Sequence, residues 1–308
     1  MVAVSEVASR PSHLSSPGAA QKPDAAAAYR ADWAAPSGAA SAAPVAGAAA
    51  PTTPRAGDDG SVHRHALLAA DVYRDTPAPP DGYRVATEDE LARLGLDPDQ
   101  LDPGTGFRAR VYAETDADGG YVVAFRGSQQ GSDWLTNARQ GIGLESDHYA
   151  RALEIGRIIG RTEEAVTMTG HSLGGGLAST AAIASGAPAD TFNAAGLHGD
   201  TLDAAGAIAR SGGAAAPSVD NWRVPGELLT ALQEGRDRAL GAGLGGLLGG
   251  GLLGVGAGAL LVDLPPAYGR QNDLPDASPE GVGWLGSLNP AARHGIDWVV
   301  SATAALGR

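Results

Sequence analysis

The pentapeptide Gly170-His171-Ser172-Leu173-Gly174, followed directly by Gly175, constrains this chain more than any other feature. It stands between a short apolar run, AVTMTG (165–170), and a run of small residues, LGGGLASTAAIAS (173–185). The first predicts a strand and the second a helix, so the motif marks a sharp strand-to-helix turn with a serine at its apex. Gly170 and Gly174 leave room where a Cβ would collide with the neighbouring strand and helix. The serine Oγ then projects above the sheet, and the helix N-terminus aims backbone N–H groups and positive dipole toward it. The pattern predicts a nucleophilic serine held in strained backbone geometry.

The rest of the chain supplies a sheet for that turn. Segment 63–75, HRHALLAADVYRD, carries a helical apolar face, and a short helix is expected over Glu88–Leu94. FRARVYAE and YVVAFRG flank a Gly-Gly turn and predict a β-hairpin. A helix is expected from Ser146 to Ile159, strands at TFNAAGL and VDNWRV (219–224), and a last helix at IDWVVSATAAL. Strands alternating with helices imply an α/β fold of the α/β-hydrolase type, a mainly parallel central sheet flanked by helices. Residues 1–60 are dominated by Ala, Pro, Ser and Gly without sustained periodicity, and are read as a disordered tail before a domain spanning 61–308.

A serine nucleophile needs a base and an orienting acid, in the chain order serine, acid, histidine for this fold. His294, in NPAARHGIDWVV on a loop leading into the last helix, is the expected base. His171 lies within the turn, where its ring should point away from the nucleophile, and His198 is a weaker alternative. Three carboxylates compete for the acid: Glu227, just past the Pro225-Gly226 turn; Asp263, in VDLPP; and Asp220, inside a strand. The transition state also needs hydrogen-bond donors where negative charge develops. The Leu173 N–H is one, and the loop carrying FRGS (125–128) is placed to bring another.

Composition removes whole classes of function. The formal net charge of −13, from 35 acidic against 22 basic residues, repels phosphate backbones and argues against nucleic-acid binding. It also makes any membrane contact apolar rather than electrostatic. Cysteine is absent, which excludes a thiol nucleophile, disulfides and thiolate metal sites. No HExxH-type spacing occurs, so neither metal nor cofactor is expected. The first residues, MVAVSEVASRPSHLSS, lack a basic stretch followed by an apolar core, so no secretory signal peptide is read there. A cytoplasmic location or export by another route is expected.

YVVAFRGSQQGSDWLTNARQG followed by TMTGHSLGGGLAS resembles the class 3, fungal-type lipases of the α/β-hydrolase superfamily. The resemblance spans about 63–305, strongest at FRGS and GHSLGG and faint over 200–280. It implies that Ser128 donates to the oxyanion and that Asp133-Trp134 matches the family's D-W pair at the start of the lid. It also implies that Glu227 fills the slot of the acid, where fungal members carry Asp, and that His294 is the C-terminal histidine. FNAAGL, VPGELLT and RHG are similar to segments of bacterial phospholipase-like effectors of the same superfamily. That likeness implies an exported enzyme acting on membrane lipid, with a cognate immunity or inhibitor protein as a partner.

Between the expected acid and base lies an uncharged run of 24 residues, ALGAGLGGLLGGGLLGVGAGALLV (239–262). Three roles fit it: an apolar lid or membrane-dipping hairpin, a buried packing segment, or a transmembrane anchor, which lacks flanking basic clusters. The expected activity is hydrolysis of lipid carboxylic esters, as a phospholipase A or lipase, at a membrane or micelle surface. An acyltransferase or peptidase on the same scaffold would keep Ser172 but change the acceptor or the bond. A membrane-permeabilising protein acting through the Gly–Leu run would not need Ser172.

Overall fold

A computed structural model of the chain describes residues 59–115, 119–128, 142–233 and 265–306. The expected tail up to residue 58, the Asp133-Trp134 pair, Asp263 and the Gly–Leu insert 239–262 lie outside the described residues.

Seven strands form one sheet whose spatial order is the chain order. They are β1 Tyr83–Val85, β2 Ala109–Glu114, β3 Tyr121–Phe125, β4 Val166–His171, β5 Ala189–Phe192, β6 Val219–Arg223 and β7 Arg270–Asp273. The first three pair antiparallel, the β2–β3 hairpin among them, and β3 through β7 run parallel. Each parallel crossover advances one strand in the same direction, and the right-handed rule then places the connecting helices on one face. These are α4 Ile142–Ile159, α5 Leu173–Ser185 and α6 Gly199–Gly212, packed side by side. Helix α1, Asp59–Asp71, lies against β3–β5 and packs on the C-terminal helix α10, Ile296–Thr303.

Strand alternation records both layers. Along β3, Tyr121, Val123 and Phe125 join the α4–α5 core, whereas Val122 and Ala124 meet Leu68 of α1 and Val72 just past its end. A strand buried on both faces has no polar side, which explains the unbroken apolar run YVVAF. With aromatic residues at only 5%, close approach of backbones replaces bulk. A Cβ on Gly156 of α4 would stand 2.8 Å from that of Ala184 on α5. Alanine there would push apart the two helices that cover the sheet.

The smaller helices are α2 Glu88–Leu94, α3 Pro98–Leu101, α7 Leu228–Gln233, α8 Trp284–Ser287 and α9 Pro290–Arg293. Several elements depart from sequence expectation. The strand expected over TFNAAGL ends at Phe192, because Asn193 turns into the left-handed region with φ 43°. Helix α6 and the edge strand β7 occupy the stretch where the sequence is least patterned. β7 reads RQND and is fixed by its register with β6, Asp220 opposite Arg270 and Arg223 opposite Asp273, rather than by apolar content. Helix α1 begins at Asp59, taking in two residues read as tail. Among the described residues no helix is long and apolar enough to cross a membrane.

Candidate active site

Ser172 sits between the end of β4 and the start of α5 with φ 58° and ψ −127°. An L-residue adopts that conformation only under constraint, and the constraint is visible around it. A Cβ on Gly174 would run into the carbonyl of Phe125 at the end of β3, and one on Gly170 into the backbone of Gly174. Ser172 is itself fixed by the β5 side: its N–H donates to the Phe192 carbonyl at 3.0 Å, and its carbonyl accepts from Ala195 at 3.0 Å.

Two loops bring partners to this serine. After β6, Val224-Pro225-Gly226-Glu227 makes a tight turn in which Glu227 N–H bonds back to the Val224 carbonyl and Gly226 takes φ 72°. Proline followed by a glycine with positive φ is the pattern of a type II turn. The turn delivers Glu227 into the interior, fully buried, where its carboxylate accepts from the N–H of Leu229 at 2.8 Å and from that of Thr230. Glu227 thus caps the first turn of α7, satisfying helix donors that would otherwise be orphaned.

The second loop is the α9–α10 junction. Asn289 caps α9 by accepting from Ala291 and Ala292 N–H, His294 ends it, and Gly295 starts α10. The His294 ring places Nε2 2.9 Å from Ser172 Oγ and Nδ1 2.6 Å from Glu227 Oε2. Serine, histidine and glutamate are all buried, at 8%, 6% and 0% exposure, so these bonds face little competition from water. Arg293 fastens the two loops together. Its guanidinium donates to the Pro225 and Ser287 carbonyls at 2.7 and 2.6 Å, pairs with Asp276, and stacks over Trp298.

The other candidates fall elsewhere. The Asp220 carboxylate is held by Arg270 at 2.5 Å and Asn272 at 2.9 Å across the β6–β7 edge. His198 is exposed at the start of α6. Leu173 is the first residue of α5, and Ser128 is exposed in the loop after β3. That loop is tied to the site through Gly127, whose N–H donates to the Tyr73 hydroxyl at 3.0 Å. Tyr73, Asn193 and Arg293 were not singled out by sequence reasoning; the Arg-His adjacency in RHG was the one local sign of them.

His171, by contrast, is buried, its ring beside that of His294. Its Nε2 lies 2.7 Å from the His294 carbonyl and its Nδ1 3.3 Å from the Tyr73 hydroxyl. Because a carbonyl only accepts, Nε2 carries the proton and the bare Nδ1 accepts from tyrosine. Burial, reinforced by the nearby His294 ring, pushes the His171 pKa down from 6.5 to about 3. An unfolded His171 therefore takes a proton near pH 6.5 while the folded one resists until about pH 3. Between those values the unfolded state binds more protons, so stability falls as pH falls, by up to about 1.4 kcal/mol per pH unit. His171→Gln removes that contribution, and urea midpoints between about pH 6.5 and 4 should decline less steeply than in wild type. Equal slopes would refute the assignment.

The chain is similar to known phospholipases. A family model described as a Tle-like phospholipase domain matches residues 64–280, a span that takes in Ser172 and Glu227. An extracellular phospholipase A1 of Serratia liquefaciens is 37% identical over 173 residues, 55% of this chain and 53% of that protein. The chain therefore spans about half the length of the curated relative it matches.

Proposed function

From the premise that this chain belongs to the Tle-like phospholipase family, we propose that it is a serine phospholipase A, with Ser172 as nucleophile, His294 as base and Glu227 as orienting acid. The observation that carries the reading is the unbroken line from Ser172 Oγ to His294 Nε2 at 2.9 Å and from His294 Nδ1 to Glu227 Oε2 at 2.6 Å. In this mechanism His294 takes the Ser172 proton as Oγ attacks the ester carbonyl carbon. The negative charge on the carbonyl oxygen is met by the Leu173 N–H at the start of α5 and by Ser128. Collapse of the tetrahedral species breaks the ester bond, His294 gives its proton to the departing lysolipid, and the acyl chain stays on Ser172. Water, deprotonated by the same histidine, then releases the fatty acid and restores the serine.

The lipid surface enters through a second feature. Trp284 on α8 and Leu288 just beyond it are 73% and 65% exposed, in a segment, 281–292, with no charged residue. An exposed tryptophan on an uncharged stretch suits the boundary between headgroups and acyl chains, as a strongly acidic protein requires of its membrane contact. Export and action on foreign membranes, with a cognate inhibitor in the producer, complete the reading. The similarity to an extracellular phospholipase A1 supports export and points to the sn-1 ester.

The test is mass-spectrometric product analysis on phosphatidylcholine vesicles. Equimolar fatty acid and lysophospholipid, with release of the sn-1 chain, is the expected outcome. Transfer of the acyl chain to added alcohol in preference to water would make the protein an acyltransferase. Vesicle leakage without ester cleavage by folded protein would sink the enzymatic reading altogether.

A further inference from the structure

A histidine inside the serine turn has no part in the chemistry just described, yet its ring is 5% exposed and its ring centroid lies 5.1 Å from that of His294. What it holds is a backbone atom of the base. The His294 carbonyl accepts from His171 Nε2 at 2.7 Å and from Asn193 Nδ2 at 3.3 Å, one donor for each lone pair. Asn193 reaches further still: its Oδ1 accepts from the N–H of Val224 at 2.9 Å. Val224 opens the turn that carries Glu227. A single amide at the end of β5 therefore touches both the loop of the base and the root of the loop of the acid. It does so from a left-handed conformation with φ 43°, the one described non-glycine residue besides Ser172 with positive φ. On the other side the Tyr73 hydroxyl faces His171 Nδ1 and accepts from Gly127, next to Ser128.

We infer that His171 and Asn193 are positioning residues for the proposed reaction, setting the height and angle of the His294 imidazole between Ser172 and Glu227 through its backbone carbonyl. The inference rests on the serine-hydrolase reading above. Side-chain hydrogen bonds to that backbone carbonyl restrain where the His294 Cα stands, and with it the reach of the ring to both partners. The donors run in a single sense from Gly127 N–H through Tyr73 and His171 to the His294 carbonyl, so each bond polarises the next. The chain also couples the loop of the oxyanion donor to the base, two parts far apart in the sequence.

Steady-state rates of purified full-length variants on a soluble short-chain ester test this apart from any lipid surface. His171→Phe keeps a flat ring but cannot donate, and should lower kcat about 100-fold with KM within about twofold, the penalty of a misplaced base. His171→Gln carries an N–H in the place of Nε2 and should keep kcat within about fivefold of wild type. Asn193→Asp keeps the acceptor for Val224 but sets a carboxylate against the His294 carbonyl, and should lose about 30-fold in kcat. In proton NMR the His294 Nδ1 resonance should survive in His171→Gln and broaden or shift in His171→Phe. A structural role alone would not separate kcat from KM or be rescued by glutamine. The inference is overturned by wild-type kcat in folded His171→Phe, or by equal losses in the Phe and Gln variants. Should His171→Phe not fold, a folded Asn193→Asp with wild-type kcat overturns it. Ser172→Ala in the same assay separates the two levels: activity in that variant defeats the proposed function, whereas its loss beside an unaffected His171→Phe defeats the brace alone.

Discussion

Ser172→Ala should lower kcat by about 10⁵- to 10⁶-fold on vesicles and on soluble esters alike, leaving the binding of lipid surfaces intact. The size follows from the mechanism: without Oγ no acyl-enzyme forms, and what remains is the help that the oxyanion donors and binding give to direct attack by water. A fluorophosphonate should label wild-type protein with one equivalent and leave the alanine variant untouched. The backbone adds a second, independent expectation. At φ 58° and ψ −127° the serine occupies a conformation suited to glycine, so Ser172→Gly relieves strain that Ser172→Ala retains. The glycine variant should melt above the alanine variant, by the equivalent of about 1 kcal/mol, while both are inactive. Residual activity above about 1% of wild type in either, in protein free of contaminating esterase, would remove Ser172 from the chemistry.

How much of this could be read from the chain depends on how local each constraint is. The serine turn was legible because its geometry forces residue types within a few positions: glycine where Phe125 and Gly174 backbones crowd, small residues where α5 meets the sheet. The Pro225-Gly226 turn was legible for the same reason, and Glu227 beside it is the acid of the proposed mechanism. The partner of Asp220 shows only once β7 is seen beside β6, because the guanidinium that holds it lies 50 residues away. The brace behind His294 is the extreme case. Tyr73 is 98 residues from His171, and His171 is 123 from His294, so no spacing in the sequence announces their meeting. Likewise β7, polar throughout, is a strand because of whom it pairs with. The phospholipase-like part of the resemblance, carried by FNAAGL, VPGELLT and RHG, agrees with the family that matches.

Glu227 offers the second large effect, and a sharper one because this side chain caps α7 and, in the proposed mechanism, orients His294. Glu227→Gln preserves shape, but its amide cannot accept at both oxygens. Either an N–H at the start of α7 or the Nδ1 proton of His294 must face an NH₂ group. If the amide nitrogen turns to the ring, His294 is driven to the tautomer with its proton on Nε2, aimed at Ser172 and unable to act as base. The analogous exchange in a serine protease triad costs about 10⁴-fold in kcat, and a fall of about 10³- to 10⁴-fold with KM nearly unchanged is expected here. Glu227→Ala should match that loss in rate and add a stability penalty of about 1–3 kcal/mol, because the N–H groups of Leu229 and Thr230 lose their acceptor inside the protein. Asp220→Asn, by contrast, touches an edge ion pair and should leave kcat within about threefold. Rates for the three variants, beside Asp263→Asn, decide the matter directly. If Glu227→Gln keeps more than about a tenth of wild-type kcat while either aspartate variant is dead, the orienting carboxylate is not Glu227. The short bond to His294 Nδ1 would then be architecture, not catalysis.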